Sequence, residues 1–560
     1  MKKIISVLLA LTMIFSVMSV AVSAEEANEL KVAVANDLHY SASGNAKDCT
    51  TVYTEDYANC TGTGQLRLEC ELIIDEFLNR ADSDVILIPG DITDNGRDNE
   101  HEYMAAKFAA FEAETGKQVY VVPGNHDFYT SRGGDFTPAE FKALYSFAYE
   151  GAIAIDDVTA SYVADLGAGY RLLAIDATKP GTNQNLDERL YTWIETQLKA
   201  AKADGKKVIA MSHYNLMEHF IFMDKLHAGS VLTSSMNLPE LFAQYNVKVT
   251  FTGHSHEHDI KAYTGSNGNT IYDAVTNSIN AYPCAYREVT FGDKIRFETK
   301  SVDKIDTTDL KDNITEATYN LATEDFLAYA LEIYRVGVID LVEGVADAET
   351  IIDMLGLDEE DDAELYSLIN TVIPRAVEII YMPIYKADEV EAGKSVESIL
   401  AELKITLPET EYKTIEELAI DVYIAHVVGD ESCGLLSNKF TLITSCFTAI
   451  FNYVLGSVTA EQYAQLMSFA CSFLGAKVPV DFFKYAGSGV TKAQGIEIFI
   501  TAVLTPILLE ITTDEGTPDN NVTLEGYGTE LKAAEEMSML DKIISFFKDF
   551  FMYILRALGF

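Results

Sequence analysis

Basic residues are scarce in this sequence. Its 560 residues include 41 Lys and Arg against 86 Asp and Glu, which gives a formal net charge of −45. An acidic field of this size repels the phosphate backbone of DNA or RNA and the anionic face of a bilayer. We therefore expect no nucleic-acid scaffold among the partners of this protein. Hydrophobic residues make up 48% and charged residues 23% of the chain, a composition that excludes a disordered, collagen-like or polytopic membrane protein.

Cysteine is also scarce. The seven cysteines are too few and too scattered for a disulfide framework in a chain of this length, and none forms a Cys-x-x-Cys metal pair. Their odd number leaves at least one unpaired within the monomer. Cys49 and Cys60 are spaced to close a small loop, and burial of both as free thiols is the open alternative.

The first 24 residues have the pattern of a secretory signal peptide. Lys2 and Lys3 precede an apolar run at residues 4–22, and Val22-Ser23-Ala24 ends the segment with small side chains where signal peptidase needs them. We therefore expect residues 1–24 to be removed and the mature protein to be secreted or held at the cell surface. An uncleaved N-terminal membrane anchor is the alternative.

Residues 25–303 alternate between short β-branched runs and helical stretches, as in an α/β domain. The runs that matter lie at residues 31–35, 84–88, 118–122, 207–211 and 247–251. Each ends at or within a few residues of a cluster of His, Asp or Asn. Because α/β sheets place ligand sites at the carboxyl ends of their strands, we expect these clusters to meet.

The residue pattern of the chain changes after residue 303. Apolar residues recur at helical spacing and acids dominate the polar face, so residues 304–540 are predicted to form a mostly α-helical C-terminal domain, whose role the sequence leaves open. His426 is the only one of the ten histidines in this half. Residues 541–560 are predicted to form an amphipathic, aromatic-rich helix that closes the C-terminal core. Contact of this region with a membrane surface or a protein partner is the alternative.

Polar clusters follow the five predicted strands. In chain order they are Asp37-Leu38-His39, Gly90-Asp91, Gly124-Asn125-His126-Asp127, His213 and Gly253-His254-Ser255-His256. Alternation at a strand end points both side chains of Asp-x-His or His-x-His to one side, so each pair can approach a common centre. Apart from His126 and Asp127, the clusters offer two carboxylates, four imidazoles and one amide, enough to hold two metal ions. Such ligands without thiolate suit Mn, Zn or Fe.

The order of these motifs resembles the signature of the calcineurin-like metallophosphoesterase superfamily. That signature is Asp-x-His, Gly-Asp, Gly-Asn-His-(Asp/Glu), His and Gly-His-x-His, and every element is present within about residues 30–303. The resemblance implies a two-sheet α/β sandwich that binds two divalent transition metal ions. Carried over position by position, it implies that Asp37, His39 and His256 hold one ion, that Asn125, His213 and His254 hold the other, and that Asp91 bridges them.

The resemblance also implies a metal-dependent phosphoric ester hydrolase. In such a centre a hydroxide that bridges the two metal ions attacks the phosphorus in line, and His126 is the candidate general acid for the leaving alkoxide. Asp127 either orients His126 or acts as a turn carboxylate. A phosphodiesterase is favoured over a phosphomonoesterase, because Gly-Asp-x-x-Asp-Asn-Gly followed by Gly-Asn-His-Asp resembles the cyclic-nucleotide and glycerophosphodiester branches. The alternatives are a phosphomonoesterase of the same fold and a non-catalytic cell-surface binding protein that retains the fold.

One position departs from a related pattern. Purple acid phosphatases resemble this signature but place a metal-binding Tyr three residues after the aspartate of Gly-Asp, where this chain has Asp94. A ferric, purple enzyme is therefore disfavoured. Asp94 and Asn95 are expected either to hydrogen-bond substrate or to shape the turn.

Overall fold

The computed structural model describes most of the chain between residues 29 and 527. Within residues 29–311, the structure describes all residues except 43–63, 129–135, 179–185, 221–222, 224–228 and 233–236. Residues 314–527 are described with further gaps, the longest of them within 350–362 and at 386–393 and 474–495. The predicted signal peptide, Cys49, Cys60 and the predicted helix at 541–560 lie outside the described residues.

Two mixed β-sheets form the N-terminal part. The first sheet contains β1 (Leu30–Val34), β2 (Val85–Ile88), β3 (Gln118–Val121), β11 (Ala285–Phe291), β12 (Lys294–Ser301) and β13 (Val522–Glu525), in the order β13-β12-β11-β1-β2-β3. The second contains β4 (Ala154–Ile155), β5 (Tyr162–Gly167), β6 (Tyr170–Ile175), β7 (Lys207–Ser212), β8 (Val249–Thr252), β9 (Asp259–Thr264) and β10 (Thr270–Val275), in the order β4-β5-β6-β7-β8-β10-β9. All five strands predicted from the β-branched runs are present.

The register of the central strands directs their carboxyl ends to one edge. In the first sheet β1, β2 and β3 are mutually parallel, with Val32 opposite Val85 and Val85 opposite Gln118. In the second sheet β7 is parallel to β8, with Ala210 opposite Thr250. The five polar clusters follow these five strands, so the topology gives them a common location.

One apolar core lies between the two sheets. Val34 and Ile86 of the first sheet and Met211 and Phe251 of the second belong to the same cluster of buried side chains. Burial on both faces explains why these strands have continuous apolar sequences instead of alternating ones. The fold is therefore the predicted two-sheet α/β sandwich.

Helices cover the outer faces of both sheets. In the N-terminal part they are α1 (Cys70–Arg80), α2 (Asp98–Thr115), α3 (Pro138–Leu144), α4 (Ser146–Tyr149), α5 (Glu188–Ala203) and α6 (Leu238–Tyr245). Apolar residues at helical spacing on α5, including Leu190, Ile194 and Leu198, pack with Val208 of β7 in a second core cluster.

The C-terminal region is mostly helical, as predicted. Its helices are α7 (Glu316–Glu324), α8 (Phe326–Val345), α9 (Ala363–Ile380), α10 (Val396–Glu402), α11 (Ile415–Val428), α12 (Asn438–Leu455), α13 (Ala460–Phe473) and α14 (Thr505–Thr512). Local sequence sets several of their starts, because the side chains of Thr315, Ser395, Thr414 and Ser437 accept hydrogen bonds from backbone amides of the first turn. Among the described residues, no helix has both the length and the apolar character to cross a membrane.

One segment within the mostly helical range of 304–540 is a strand. Residues 522–525 form strand β13, which pairs antiparallel with β12 and so extends the first sheet. Phe326, Tyr329 and Ile333 of α8 belong to the same cluster of buried side chains as Val34 and Ile86 of the first sheet. The first part of the helical region therefore completes the hydrophobic core of the α/β domain.

The described cysteines outside helix α13 are Cys70, Cys284, Cys433 and Cys446, and all four are buried free thiols. Burial raises the pKa of Cys70 and of Cys284 above the ordinary thiol value. These side chains therefore act as small apolar core residues.

Candidate metal centre

The predicted ligands lie on turns with unusual backbone conformation. Positive φ angles of 49° at Asp37, 46° at His39, 46° at Asp91, 67° at His254 and 56° at His256 place five non-glycine residues in the left-handed region. This conformation costs such residues of order 1–3 kcal/mol each, and residues that adopt it cluster at functional sites. The backbone thus marks this edge of the sandwich as a candidate site.

The first group of ligand atoms comes from Asp37, His39 and His256, and all three atoms lie within 4.8 Å of one another. The Nε2 atoms of His39 and His256 are 3.1 Å apart. His256 Nε2 is 3.5 Å from Asp37 Oδ1. These are the three residues predicted to hold one ion.

The second group comes from Asp91, His213 and His254, whose ligand atoms also lie within 4.8 Å of one another. His213 Nε2 is 3.1 Å from His254 Nδ1 and 2.9 Å from Asn125 Oδ1. The amide of Asn125 therefore faces the same point as the two imidazoles, as expected for the second ion.

Asp91 lies between the two groups. Its Oδ2 atom is 3.3 Å from His213 Nε2 and 3.8 Å from His39 Nε2. One carboxylate oxygen is thus near an imidazole of each group, which is the position that a bridging ligand needs. All seven predicted ligands are brought together in one cleft.

Two glycines make this close packing possible. A Cβ atom at Gly124 would lie 2.2 Å from Asp91 Oδ1, and one at Gly253 would lie 2.5 Å from Asp37 Oδ2. Contacts this short are forbidden, so only glycine lets these turns approach the two carboxylates. The glycines of the sequence motifs are therefore required by the site itself.

Sequence comparison finds a family match for part of the chain. Residues 30–258 match the sequence profile of the calcineurin-like phosphoesterases. The matched residues include all seven predicted metal ligands, and the match ends before the helical region.

The solved structures that match this chain share little sequence with it. A dimetal phosphatase from Danio rerio is 14% identical over 49% of this chain and 96% of that one, with a TM-score of 0.35. A purple acid phosphatase from yellow lupin (Lupinus luteus) seeds is 14% identical over 49% of this chain and 51% of that one, with a TM-score of 0.31. Phosphopantetheinyl hydrolase from Mycobacterium tuberculosis is 15% identical over 45% of this chain and 91% of that one, with a TM-score of 0.26. No curated protein matches the chain significantly in sequence.

The donor set of the two ligand groups fits divalent metal ions. In each group two imidazole nitrogens point at each other beside a carboxylate, with His39 facing His256 and His213 facing His254. An N–H···N hydrogen bond can join each pair of imidazoles, but a cation placed between them would accept the lone pairs of both nitrogens and of the carboxylate beside them. Nitrogen and oxygen donors without sulfur suit a divalent transition metal.

The charges of the site keep both carboxylates ionised. Burial alone would raise the pKa of Asp91, but the imidazoles of His213 and His126 hold that pKa well below its ordinary value. The pKa of Asp37 is likewise lowered by His256 and His213 despite burial. Metal ligands must be deprotonated, so these two side chains are ready to bind a cation.

The two imidazoles of the second group differ from each other. Burial opposes protonation of His213, yet the charge of Asp91 raises its pKa to about 9. Burial and the neighbouring charge of His213 lower the pKa of His254 to about 3. The negative charge of Asp91 therefore acts mainly on His213, the nearer ring.

His126, the predicted general acid, lies beside the ligands and remains partly exposed, with 18% of its side chain accessible. Its ring contacts that of His39 edge to face, with centroids 4.6 Å apart. His126 Nδ1 donates a hydrogen bond of 2.8 Å to the backbone oxygen of Asp94. Because a carbonyl oxygen only accepts, Nδ1 carries a proton, and Nε2 is the nitrogen whose protonation can change.

The contacts of Asp127 fit the second of its two expected roles, that of a turn carboxylate. The fully buried carboxylate of Asp127 accepts hydrogen bonds from the backbone amides of Ile92, Thr93 and Gly124 and from the Thr93 hydroxyl. These contacts tie the turn after β2 to the turn after β3, which was the alternative role for this residue. Four local donors satisfy both oxygens, so the carboxylate turns inward.

Asp94 takes the orienting position instead. Its Oδ1 atom is 3.7 Å from His126 Nδ1 and 3.6 Å from His39 Nδ1, while Oδ2 is 3.0 Å from the guanidinium of Arg67. Despite burial, His39 and Arg67 hold the pKa of Asp94 below its ordinary value. Asn95 shapes the turn by donating to Glu100. Arg67 belongs to no recognisable motif, so no signal in the sequence connects it to the site.

Proposed function

We propose that this chain is a metal-dependent phosphoester hydrolase with two divalent transition metal ions, that it prefers diesters, and that it acts outside the cytoplasm. The observation that carries the proposal is the position of Asp91, with one oxygen within 4 Å of an imidazole from each ligand group. A structural role alone does not require two histidine-rich groups joined by one carboxylate.

One ion would be held by Asp37, His39 and His256. The other would be held by Asn125, His213 and His254, and Asp91 would contact both ions. When bound, two such ions supply a water activated for attack and Lewis-acid contacts to the phosphoryl oxygens. Asp37 and Asp91 offset only about two of their four positive charges, so the pocket attracts phosphate within an acidic protein. Mn, Zn and Fe all suit these ligands.

The leaving alkoxide needs a proton, and His126 is placed to give it. The Nδ1–H bond to Asp94 fixes the ring so that Nε2 is the atom that delivers the proton. Asp94 adds a buried negative charge near Nδ1 that stabilises the imidazolium. Arg67 keeps that carboxylate ionised and in place.

Preference for diesters is supported by the charge near the centre. Arg67 is paired with Asp94, so its positive charge is largely compensated. A monoester dianion gains more from an extra cation than a diester monoanion does, because the attraction scales with the ligand charge. The Gly-Asp-x-x-Asp-Asn-Gly motif around Asp94, which resembles diesterase branches, favours the same substrate class.

Export is supported by the basic, apolar and small-residue pattern of residues 1–24. The mass of protein recovered from the producing cell tests it directly. A chain that begins at Glu25 is expected, and a full-length chain in the membrane fraction would contradict export by cleavage.

The substrate class is tested by hydrolysis of bis(p-nitrophenyl) phosphate and p-nitrophenyl phosphate by the protein from Glu25 onward. Each metal is restored separately after chelation. We expect metal-dependent cleavage with a higher kcat/KM for the diester. A higher value for the monoester would make the protein a phosphatase, and turnover of neither ester by protein with two bound ions would favour the binding-protein hypothesis.

The role of His126 is tested by the His126→Ala variant. It should keep two metal ions but lose about 10²–10⁴-fold in rate on esters with poor leaving groups. Activated nitrophenyl esters need little protonation and should lose far less. Equal losses on both kinds of ester would contradict its assignment as general acid.

A further inference from the structure

The loop after β8 has two faces. His254 and His256 point into the cleft, whereas the next residue, Glu257, is buried against the helical region and is only 5% exposed. A carboxylate is rarely buried this completely unless it is paired. The residue that pairs with Glu257 therefore affects how the loop after β8, the ligand loop, is held in place.

That partner is His426, near the end of α11. His426 lies between two carboxylates, with Nε2 at 3.4 Å from Glu257 Oε1 and Nδ1 at 2.8 Å from Glu431 Oε1. Burial opposes its protonation, but the carboxylates of Glu257 and Glu431 on its two sides raise its pKa well above the ordinary value. The single histidine of the C-terminal half thus joins the helical region to the ligand loop through its contact with Glu257.

Backbone contacts fix the end of α11 on the same loop and on its neighbours. Asn277 donates a hydrogen bond of 2.9 Å to the backbone oxygen of Val427, and Asn520 donates one of 3.2 Å to that of Val428. At Gly429, whose φ is +78°, a Cβ atom would lie 2.4 Å from the backbone oxygen of His258. The helix end therefore approaches the loop closely two residues beyond His256.

Apolar packing supports the same contact. Ile420 and Val427 of α11 form a buried cluster with Ala281, Tyr334 and Val338. Tyr334 and Val338 lie on α8, whose first turns belong to the same buried cluster as the strands of the first sheet. The position of α11 is thus set by the α/β domain, and α11 can in turn support the loop rigidly.

We propose that His426, acting through Glu257, positions the loop that supplies His256 and thereby sets the metal affinity of the first ligand group. His426 touches no ligand atom and is a positioning residue. This assigns the helical region a role as part of the support of the metal centre. The inference rests on the proposed function, since it presumes that the two groups bind metal.

The effect of removing the pair follows from its burial. Loss of His426 removes the imidazole that lies between the two carboxylates, so Glu257 loses its contact with α11. Glu257 is then free to move, and the residue before it is His256. Substitutions of residues that orient metal ligands weaken metal binding by about 10–100-fold, and we expect about tenfold for this indirect contact.

The experiment is a Mn²⁺ titration of the chelated full-length protein and of its His426→Gln and Glu257→Gln variants, followed by electron paramagnetic resonance. Two Mn²⁺ ions that share Asp91 give a spin-coupled signal, whereas a single ion gives a mononuclear signal. At Mn²⁺ concentrations that just saturate the wild type, both variants should show the mononuclear signal and recover the coupled one at about tenfold higher concentration.

Asp421→Asn is the matched control. It removes an ion pair with Lys439 from the same helix, and Asp421 makes none of the contacts described above with the ligand loop. This variant should give the coupled signal at the wild-type concentration of Mn²⁺. Thermal melting of the metal-free proteins measures any general loss of stability in each variant.

The outcomes distinguish the proposed binuclear metal centre from the proposed positioning role of His426. If wild-type protein never gives a coupled signal, the proposed binuclear function fails. If wild-type and both variants give the coupled signal at the same Mn²⁺ concentration, the binuclear centre stands and the positioning role of His426 is overturned. Should His426→Gln fail to fold, the titration of Glu257→Gln alone decides, because its amide keeps the size of the side chain and removes only the charge.

Discussion

Gly124→Ala is the substitution whose effect on the metal centre can be worked out most directly. Gly124 begins the turn that carries Asn125 and His126, and its Cα faces the side chain of Asp91. A Cβ atom there would lie 2.2 Å from Asp91 Oδ1 and 2.5 Å from the backbone nitrogen of Asp91. Both contacts involve groups that the fold holds tightly, so the strain cannot be relieved by a flexible side chain.

The magnitude follows from these distances. The methyl group and Asp91 Oδ1 must separate by about 1.2 Å to reach an ordinary contact of 3.4 Å. Metal sites tolerate deviations of only about 0.2 Å in ligand distances, so either Asp91 or Asn125 leaves its position. Overpacking of this kind costs about 1–3 kcal/mol of stability, which a domain of this size survives.

We therefore expect Gly124→Ala to fold, to bind fewer than two metal ions, and to lose hydrolysis of bis(p-nitrophenyl) phosphate. Metal content after gel filtration, circular dichroism and initial rates measure the three effects. Gly434→Ala is the control, since a Cβ atom there meets no heavy atom within 4 Å. A Gly124→Ala protein with two tightly bound ions and wild-type turnover would refute the argument that glycine is required for the approach to Asp91.

Two further predictions concern buried carboxylates and histidines. Asp127→Asn should lower the free energy of unfolding by about 1–3 kcal/mol, because its amide nitrogen cannot accept hydrogen bonds from the backbone donors. The ratio of the rates on esters with poor and with activated leaving groups should not change. A changed ratio in steady-state kinetics would show that Asp127 orients His126. Burial opposes protonation of His219, but Asp259 and Asp273 raise its pKa to about 10, above the ordinary 6.5. Urea unfolding measures how much higher the free energy of unfolding is for wild-type protein than for His219→Gln. This difference should be largest below pH 6.5 and disappear as the pH rises through 10. A difference that stays constant up to pH 11 would contradict this ion pair.

The ligand residues could be predicted from sequence because the information is local. Each short motif supplies its own strand end, turn glycine and ligand, as in the run from Gly253 to His256. The five β-branched runs then place those ends at one edge, and the resemblance of the motifs to the calcineurin-like signature implied the seven ligands and the two-sheet sandwich.

The residues around the ligands depend on long-range contacts and could not be predicted in the same way. Asp94 is assigned by its distance to His126 and Arg67, and Asp127 by four donors on two different turns. Neither set of contacts has a sequence signature. His426 was assigned no role, because a lone histidine in an acidic helical region shows no partner until Glu257 is placed beside it.

The return of the chain to the first sheet could not be predicted for a similar reason. Strand β13 has only four residues and follows a long helical stretch, so its pattern carries little weight by itself. It is stabilised by pairing with β12 and by Tyr527, whose hydroxyl donates to the backbone oxygen of Val208. Sequence alone does not show that the chain returns to the first sheet some 220 residues after leaving it at Ser301.

The most direct test of the binuclear centre is the metal content and diester hydrolysis of wild-type protein and of Asp91→Asn, measured side by side on the same preparations. Asn is isosteric with Asp but lacks the charge by which one carboxylate serves both ligand groups. We predict two ions per chain and metal-dependent hydrolysis for the wild type, with metal content and activity lost together in the variant. Two ions and unchanged hydrolysis in Asp91→Asn would contradict the account.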